Sequence, residues 1–241
     1  MLDIHSHILP EVDDGADSVD TALAMLDYAF RSGTEEIILT PHYAVPYRFD
    51  NPKKKTEVLF GQLQHIVQDA GIPIRMHLGC EYLYYGKEPF KQQFPEIATL
   101  NQTRHLLMEF FFDSESSLIL EAADAVLSRG CIPVIAHPER FQAVQKQPAL
   151  AEKLVKMGAL LQMNKGSILS ELEYFSAETV EILLSRHLIT FVGSDAHNMN
   201  RRNPDMRGCF DMVSTEFGLE YAQQIFYENP KKLLMGSREN S

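Results

Sequence analysis

Met1-Leu2-Asp3-Ile4-His5-Ser6-His7, followed by Asp13-Asp14-Gly15, decides how the rest of this chain is read. In an extended strand, residues two apart project from the same face, roughly 6.5 to 7 Å from one another. His5 and His7 can therefore converge on one divalent ion, with Asp14 arriving shortly after. A short strand that ends on metal-ligand residues points to a metal-dependent hydrolase. His-X-His alone also occurs among ordinary core or surface histidines, so the remaining sequence has to decide.

Outward from this segment a helix-then-strand unit recurs. The first helix is expected over about Ser18 to Ser32, with Val19, Ala22, Leu23, Leu26, Ala29 and Phe30 at helical spacing, Asp17 or Ser18 as cap and Gly33 as stop. A strand from Glu36 then delivers His42. Ile72 to Leu78 runs toward Glu81, and Arg104 to Met108 toward Glu109. A helix over about Ser116 to Arg129 precedes Ile132 to Ala136 and His137. Ala159 to Met163 leads to Asn164. A helix from about Ser176 to His187 leads to Leu188 to Val192 and then to Asp195 and His197. Seven strands alternating with helices imply a parallel sheet with helical crossovers, so the expected class is α/β. A closed or nearly closed barrel fits better than an open doubly wound sheet, and in such barrels the chemistry sits at the carboxyl ends of the strands.

Nine candidate metal ligands collect at those ends: His5, His7, Asp14, His42, Glu81, Glu109, His137, Asp195 and His197. Imidazoles and carboxylates without thiolate suit manganese, iron or zinc, and the number of carboxylates leans toward manganese or iron. Because one ion takes about four to six ligands, nine imply two or three ions. Glu109 lies within Leu106-Leu107-Met108-Glu109-Phe110-Phe111-Phe112, where an ionised carboxylate is costly unless paired or metal-bound. Asp3 and Asp13 are candidates to orient the imidazoles. His65, His77, His105 and His187 read as structural or surface residues.

Arg140, three residues after His137, and Arg202, five after His197, are candidate phosphate-binding residues, since the guanidinium fork matches phosphate oxygens. Arg201 and Arg207 compete with Arg202 for that role. Tyr43, Tyr47, Tyr82, Tyr84 and Tyr85 follow ligands closely, either as walls for an aromatic phosphoester or as packing residues.

With 241 residues and 45% hydrophobic content the chain can bury a full core, and no linker composition divides it, so residues 1–241 are expected to form one domain. The last fifteen or so residues are expected to be a flexible tail. A net charge of −11 disfavours a nucleic-acid partner, which needs a basic footprint. No apolar run approaches the roughly eighteen residues of a membrane span, and no signal core follows Met1, so a cytoplasmic location without membrane insertion is expected. Cys80, Cys131 and Cys209 are odd in number and widely spaced, which argues against a disulfide framework. None is followed six positions later by arginine, so a Cys-X5-Arg phosphate loop is absent.

Asp3-Ile-His5-Ser-His7-Ile8-Leu9-Pro10 with Asp13-Asp14-Gly15, Thr40-Pro41-His42-Tyr43, Gly79-Cys80-Glu81, Glu109-Phe110, Ala136-His137-Pro138-Glu139-Arg140 and Gly193-Ser194-Asp195-Ala196-His197-Asn198 together resemble the polymerase-and-histidinol-phosphatase (PHP) superfamily. They resemble most closely its bacterial manganese-dependent protein tyrosine phosphatases, encoded with capsule and exopolysaccharide synthesis genes. The resemblance spans about residues 1–225. It implies a distorted seven-stranded (β/α) barrel of the PHP type with three ions. His5, His7, Glu81 and Asp195 would hold one; Glu81, Glu109 and His137 a second; Asp14, His42 and His197 a third, with Arg140 and Arg202 on the phosphate. It further implies hydrolysis by a metal-bridging hydroxide, and as substrate a phosphotyrosine protein, the tyrosine-rich tail of a membrane-associated bacterial kinase. Two rivals are a small-molecule phosphatase of the same superfamily, acting for example on histidinol phosphate, and a metal-stabilised protein that binds phosphotyrosine without cleaving it. The chain departs from the usual pattern at Asn203-Pro204, in place of a Pro-Pro pair, and at Glu11, in place of a common glycine.

Overall fold

The computed structural model describes residues 1–171 and 176–236. Within them, local sequence sets the element ends much as expected. The helix Val19–Arg31 is capped by Ser18, whose side chain accepts from the Thr21 amide, and closes before Gly33 at φ 90°. The helix Ala177–Ser185 is capped in the same way by Ser176.

Nine strands are described, all paired in parallel: β1 (Leu2–Ser6), β2 (Glu36–Leu39), β3 (His42–Tyr43), β4 (Arg75–Leu78), β5 (Glu81–Leu83), β6 (His105–Glu109), β7 (Ile132–Ala136), β8 (Leu160–Asn164) and β9 (Phe191–Gly193). They form a three-stranded sheet, β1-β2-β4, and a six-stranded sheet, β3-β5-β6-β7-β8-β9. The result is a mixed α/β fold built on a curled parallel sheet. The expected count of seven strands in one barrel is corrected: the largest sheet has six. The run into His42 is split at Thr40-Pro41, where proline has no amide to donate. The run into Glu81 is split at Gly79-Cys80, where a Cβ on Gly79 would fall 2.7 Å from Leu100 Cδ2.

Backbone bonds from β1 to the chain after β9 join the two sheets: the His7 amide donates to Ala196 O and the Asp195 amide to His5 O, each at 2.9 Å. At the other edge the ladders continue in sequence, the β2–β4 pair through Gly79 N to Leu39 O at 2.9 Å and the β3–β5 pair through Glu81 N to Pro41 O at 3.2 Å.

Apolar residues from both sheets meet inside. Leu2, Ile4, Ile38, Leu107, Val134, Ala136 and Phe191 form one buried cluster, joined by Leu233 and Leu234. Those two leucines lie on the helix Asn229–Met235, too short to be stable alone. Burying each stabilises it by roughly 1.5–3 kcal/mol. The expected tail is therefore corrected in its first part, which is a packed helix; residues 237–241 lie outside the described residues. No described helix is long and apolar enough to cross a membrane.

Candidate metal centre

The opening strand does not deliver His5 and His7 as a plain strand would. Its pairing with β2 shifts between Asp3 and Ser6, so three steps on β1 answer two on β2. Such a bulge re-aims side chains. It lets the neighbours Ile4 and His5 both turn inward: Ile4 joins the inner apolar cluster, while His5 Nδ1 meets Gln162 Oε1 at 2.7 Å.

From there His5 Nε2 lies 3.1 Å from His7 Nε2, 3.1 Å from Glu81 Oε2 and 3.5 Å from Asp195 Oδ1. His7 Nε2 lies 3.2 and 3.4 Å from the same two oxygens. Metal–ligand distances of about 2.0–2.2 Å place neighbouring ligand atoms about 3.0–3.5 Å apart, so these four atoms are spaced as ligands around one ion. Two further groups share members with this one. His42 Nδ1 lies 3.2 Å from Glu81 Oε2 and 2.9 Å from Glu109 Oε1. Asp14 Oδ1 lies 3.5 Å from His42 Nε2 and 3.4 Å from His197 Nε2, with His7 completing that group. His137 Nε2 sits 2.9 Å from Glu81 Oε1. All nine candidates thus converge, and two of the sets the resemblance implied recur, while the set around Glu81 and Glu109 differs. His42, rather than His137, stands beside both Glu81 and Glu109, and each of its ring nitrogens faces a different group.

Four buried atoms here make no hydrogen bond: His42 Nδ1, Glu109 Oε1, His137 Nδ1 and His197 Nε2. Buried polar atoms are nearly always partnered. Atoms at 2.9 Å that lack hydrogen-bond geometry, as His42 Nδ1 and Glu109 Oε1 do, are arranged as lone pairs aimed at a shared cation. With nitrogen and oxygen donors and no thiolate, the residues fit divalent ions of the manganese, iron or zinc kind.

Surrounding groups fix the ligands. Asp13 Oδ2 meets His7 Nδ1 at 2.8 Å and accepts from the His42 amide at 2.9 Å. Gln162 Nε2 donates to Asn164 Oδ1 at 2.9 Å, and Asn164 Nδ2 donates to Asp195 Oδ2 at 2.6 Å. Asp3 does not orient a ring; its Oδ1 accepts from the backbone amides of Ser194 and His5. Space is tight: a Cβ on Gly193 would fall 2.7 Å from His5 Cβ, so glycine is required there. His137 and Asp195 adopt left-handed backbone at φ 34° and 50°, strain of the kind that functional sites store.

The electrostatics follow from crowding. Burial opposes the charge on Glu81, yet His5, His42 and His137 hold its carboxyl well below the usual range. Burial likewise opposes charge on Asp195, and Arg202, His5 and His197 hold it down. Burial pulls His5 down, but Glu81 and Asp195 override it and raise the imidazole to about 9. His197, desolvated and beside His7, is lowered to about 4. The carboxylates stay ionised and demand cations, which protons or metal ions can supply.

A cavity of about 410 Å³ opens onto the cluster. Arg140 and Arg202 line one wall, each with a buried Nε that makes no hydrogen bond. Arg202 Nη2 donates to Asp195 Oδ2 at 2.6 Å, and the Arg140 guanidinium stacks 4.5 Å from the Phe112 ring centroid. Tyr47, Phe49, Phe111 and Phe112 line the mouth, with Tyr47 edge-on to Phe111 and Phe49 stacked on His42. Of the tyrosines considered from the sequence, Tyr47 alone lines this cavity. Tyr43, Tyr82 and Tyr84 are buried in the core, and Tyr85 accepts from Gln93. Arg207 pairs with Asp205 away from the cavity. The other histidines lie elsewhere: His77 by Glu36, His105 by Thr103, His187 against Tyr221. Burial pushes the Cys80 thiol up to about 12 and raises Cys209 too, and no cysteine lines the cavity.

Gln162 was not found from sequence, although its place two residues before Asn164 on the same strand face was the available signal. The three phenylalanines gave none beyond hydrophobicity.

The sequence matches the capsular polysaccharide synthesis family CpsB/CapC over residues 1–235. The tyrosine-protein phosphatase CpsB of Streptococcus pneumoniae is 32% identical over 240 residues, covering 98% of each chain. The tyrosine-protein phosphatase YwqE of Bacillus subtilis (strain 168) is 34% identical over 238 residues, covering 97% of this chain and 91% of its own. A crystal structure from work on YwqE and CpsB, described there as unique metal-dependent tyrosine phosphatases, superposes with a TM-score of 0.88 at 32% identity, covering 98% of this chain and 95% of the other. A phosphotriesterase homology protein from Escherichia coli, at TM-score 0.61 and 11% identity, shares the fold alone. The chain belongs to the CpsB/CapC family.

Proposed function

We propose that this chain is a divalent-metal-dependent protein-tyrosine phosphatase, with manganese as the working ion. The observation that carries the reading is one cavity that joins the imidazole–carboxylate cluster, two arginines with unpartnered Nε atoms and an aromatic mouth. His5, His7, Glu81 and Asp195 would hold one ion. His42, Glu81 and Glu109 would hold a second, with His137 steadying Glu81. Asp14, His197 and the far nitrogen of His42 would hold a third. Bound ions of this kind acidify water toward neutrality and offset charge on phosphoryl oxygens.

This chain's own residues supply the rest. Arg140 and Arg202 grip the non-bridging oxygens as charge-assisted forks. Tyr47, Phe49, Phe111 and Phe112 take the phenyl ring and keep water from it. Phenolate, with a pKa near 10, leaves with less proton assistance than an alkoxide, consistent with a cavity whose acids among the described residues, Asp14, Glu81, Glu109 and Asp195, all belong to the cluster. The substrate would be a phosphotyrosine protein, the tyrosine-rich tail of a membrane-associated kinase in the cytoplasm that controls capsular or exopolysaccharide synthesis. The whole chain would act as one phosphoesterase domain on a distorted barrel of the PHP type.

Turnover of a phosphotyrosyl peptide is compared with that of histidinol phosphate at equal concentration in manganese. The peptide is expected to be the better substrate; a clear preference for histidinol phosphate would overturn the assignment, and a peptide bound but never cleaved would mark a binding protein instead.

A further inference from the structure

Lys165 is a buried cation that the chemistry above does not use. Its side chain is 3% exposed, and it follows Asn164 at the end of β8. Its Nζ donates to Asn203 Oδ1 at 2.9 Å and to Asp205 O at 3.0 Å. Asn164 donates to Asp195. Two consecutive residues therefore grip the two ends of the segment 195–205, which carries Arg202 between them.

Within that segment the turn is closed by its own bonds. The His197 amide donates to Arg202 O at 2.8 Å, and the Arg202 amide donates to Asn198 Oδ1 at 3.3 Å. Asn203 Nδ2 donates to Asn200 O at 2.7 Å. Asn203 thus ties the turn to Lys165 through one end of its amide and to the turn's own backbone through the other. A proline at 203 could do neither, having no side-chain acceptor or donor. The Asn203-Pro204 departure noted in the sequence is therefore matched by a lysine placed to use it.

We propose that Lys165, through Asn203, is a positioning residue that holds the Arg202 guanidinium against Asp195 and sets the affinity of the site for phosphate. Removing a charge-assisted bond to a buried group frees both partners, so the turn would lose its anchor while Arg202 itself remained. This rests on the phosphatase reading only in taking Arg202 as a phosphate ligand.

The test measures competitive inhibition by inorganic phosphate, together with KM and kcat for para-nitrophenyl phosphate, in manganese-loaded enzyme. Lys165→Met and Asn203→Ala are each compared with Arg202→Gln and with the double variants. Each single change is expected to raise the phosphate inhibition constant and KM roughly tenfold, about 1.4 kcal/mol, with a smaller effect on kcat. Combining either with Arg202→Gln is expected to add nothing further. Unchanged phosphate inhibition, or losses that multiply in the doubles, would overturn the proposal. If Lys165→Met does not fold, Asn203→Ala at its half-buried position decides alone. Failure to cleave phosphotyrosyl peptide while this coupling holds would count against the phosphatase assignment and not against the anchor.

Discussion

Asp195 divides its carboxylate between two tasks: Oδ1 faces His5 and His7 at 3.5 and 3.4 Å, while Oδ2 accepts from Arg202 Nη2 at 2.6 Å. The same side chain thus belongs to the imidazole–carboxylate cluster and anchors Arg202, the arginine proposed to bind phosphate. Asp195→Asn keeps the shape but removes the charge. It is expected to lower kcat/KM by about two orders of magnitude or more and to reduce bound metal, read by steady-state kinetics alongside elemental analysis. Full metal content with near-normal kinetics would show that Asp195 is not a ligand.

Asp13 lies outside the proposed ligand sets, yet it holds His7 Nδ1 and the His42 amide. Asp13→Ala is expected to weaken metal affinity by roughly 10- to 100-fold while the fold survives. Titrating metal back into the stripped variant, followed by calorimetry, gives the number directly.

Proton and metal compete for the same nitrogens. Without ions, His5 is raised to about 9 and His42 is also raised, because Glu81 and neighbouring carboxylates draw protons onto buried rings against the pull of desolvation. A raised imidazole stabilises the folded metal-free protein fully below its unfolded value of about 6.5, and that contribution fades as pH climbs through 9. Glu81 and Asp195 are depressed, so their contribution is present above about 4.5 and fades as pH falls. The melting temperature of stripped protein is expected to be highest between these limits and to drop from pH 6.5 to 9. Metal-loaded protein should show a flatter alkaline limb and tighter metal binding as pH rises.

Tyr47 is exposed on the cavity mouth and packs edge-on against Phe111. Tyr47→Ala is expected to raise KM for a phosphotyrosyl peptide by roughly three- to tenfold, the worth of one aromatic contact. KM for an alkyl phosphate should stay within about twofold of the parent, so paired KM measurements on the two substrates check the role.

That the nine candidate side chains come together was legible in the sequence, because a polar residue closing a strand is a local event. An aliphatic run, then His42 or His137, needs no tertiary knowledge to be noticed. Two of the implied sets recur, and the one around Glu81 and Glu109 does not, because which ring stands beside them, His42 or His137, depends on where separate strands place each ring. The strand count failed for a related reason. Pro41 and Gly79 interrupt runs that read as continuous, and Gly79 is glycine because Leu100 lies against it. Glu11, at φ 62°, shows the converse: its place where glycine is common was visible in sequence, and the structure shows the left-handed backbone that makes glycine common. The aromatic mouth was half seen. Tyr47 was named, while Phe49 carried no signal and Phe111 and Phe112 read only as the apolar setting of Glu109.

Metal dependence without a cysteine nucleophile is read from phosphotyrosyl peptide hydrolysis by one preparation before chelation, after EDTA, and after manganese is returned with bound ions counted, each with and without thiol alkylation. Activity is expected to vanish on chelation, to return with two or three ions per chain, and to be indifferent to alkylation, since Cys80 and Cys209 are buried and protonated. Activity that survives chelation, or that alkylation abolishes, would contradict it.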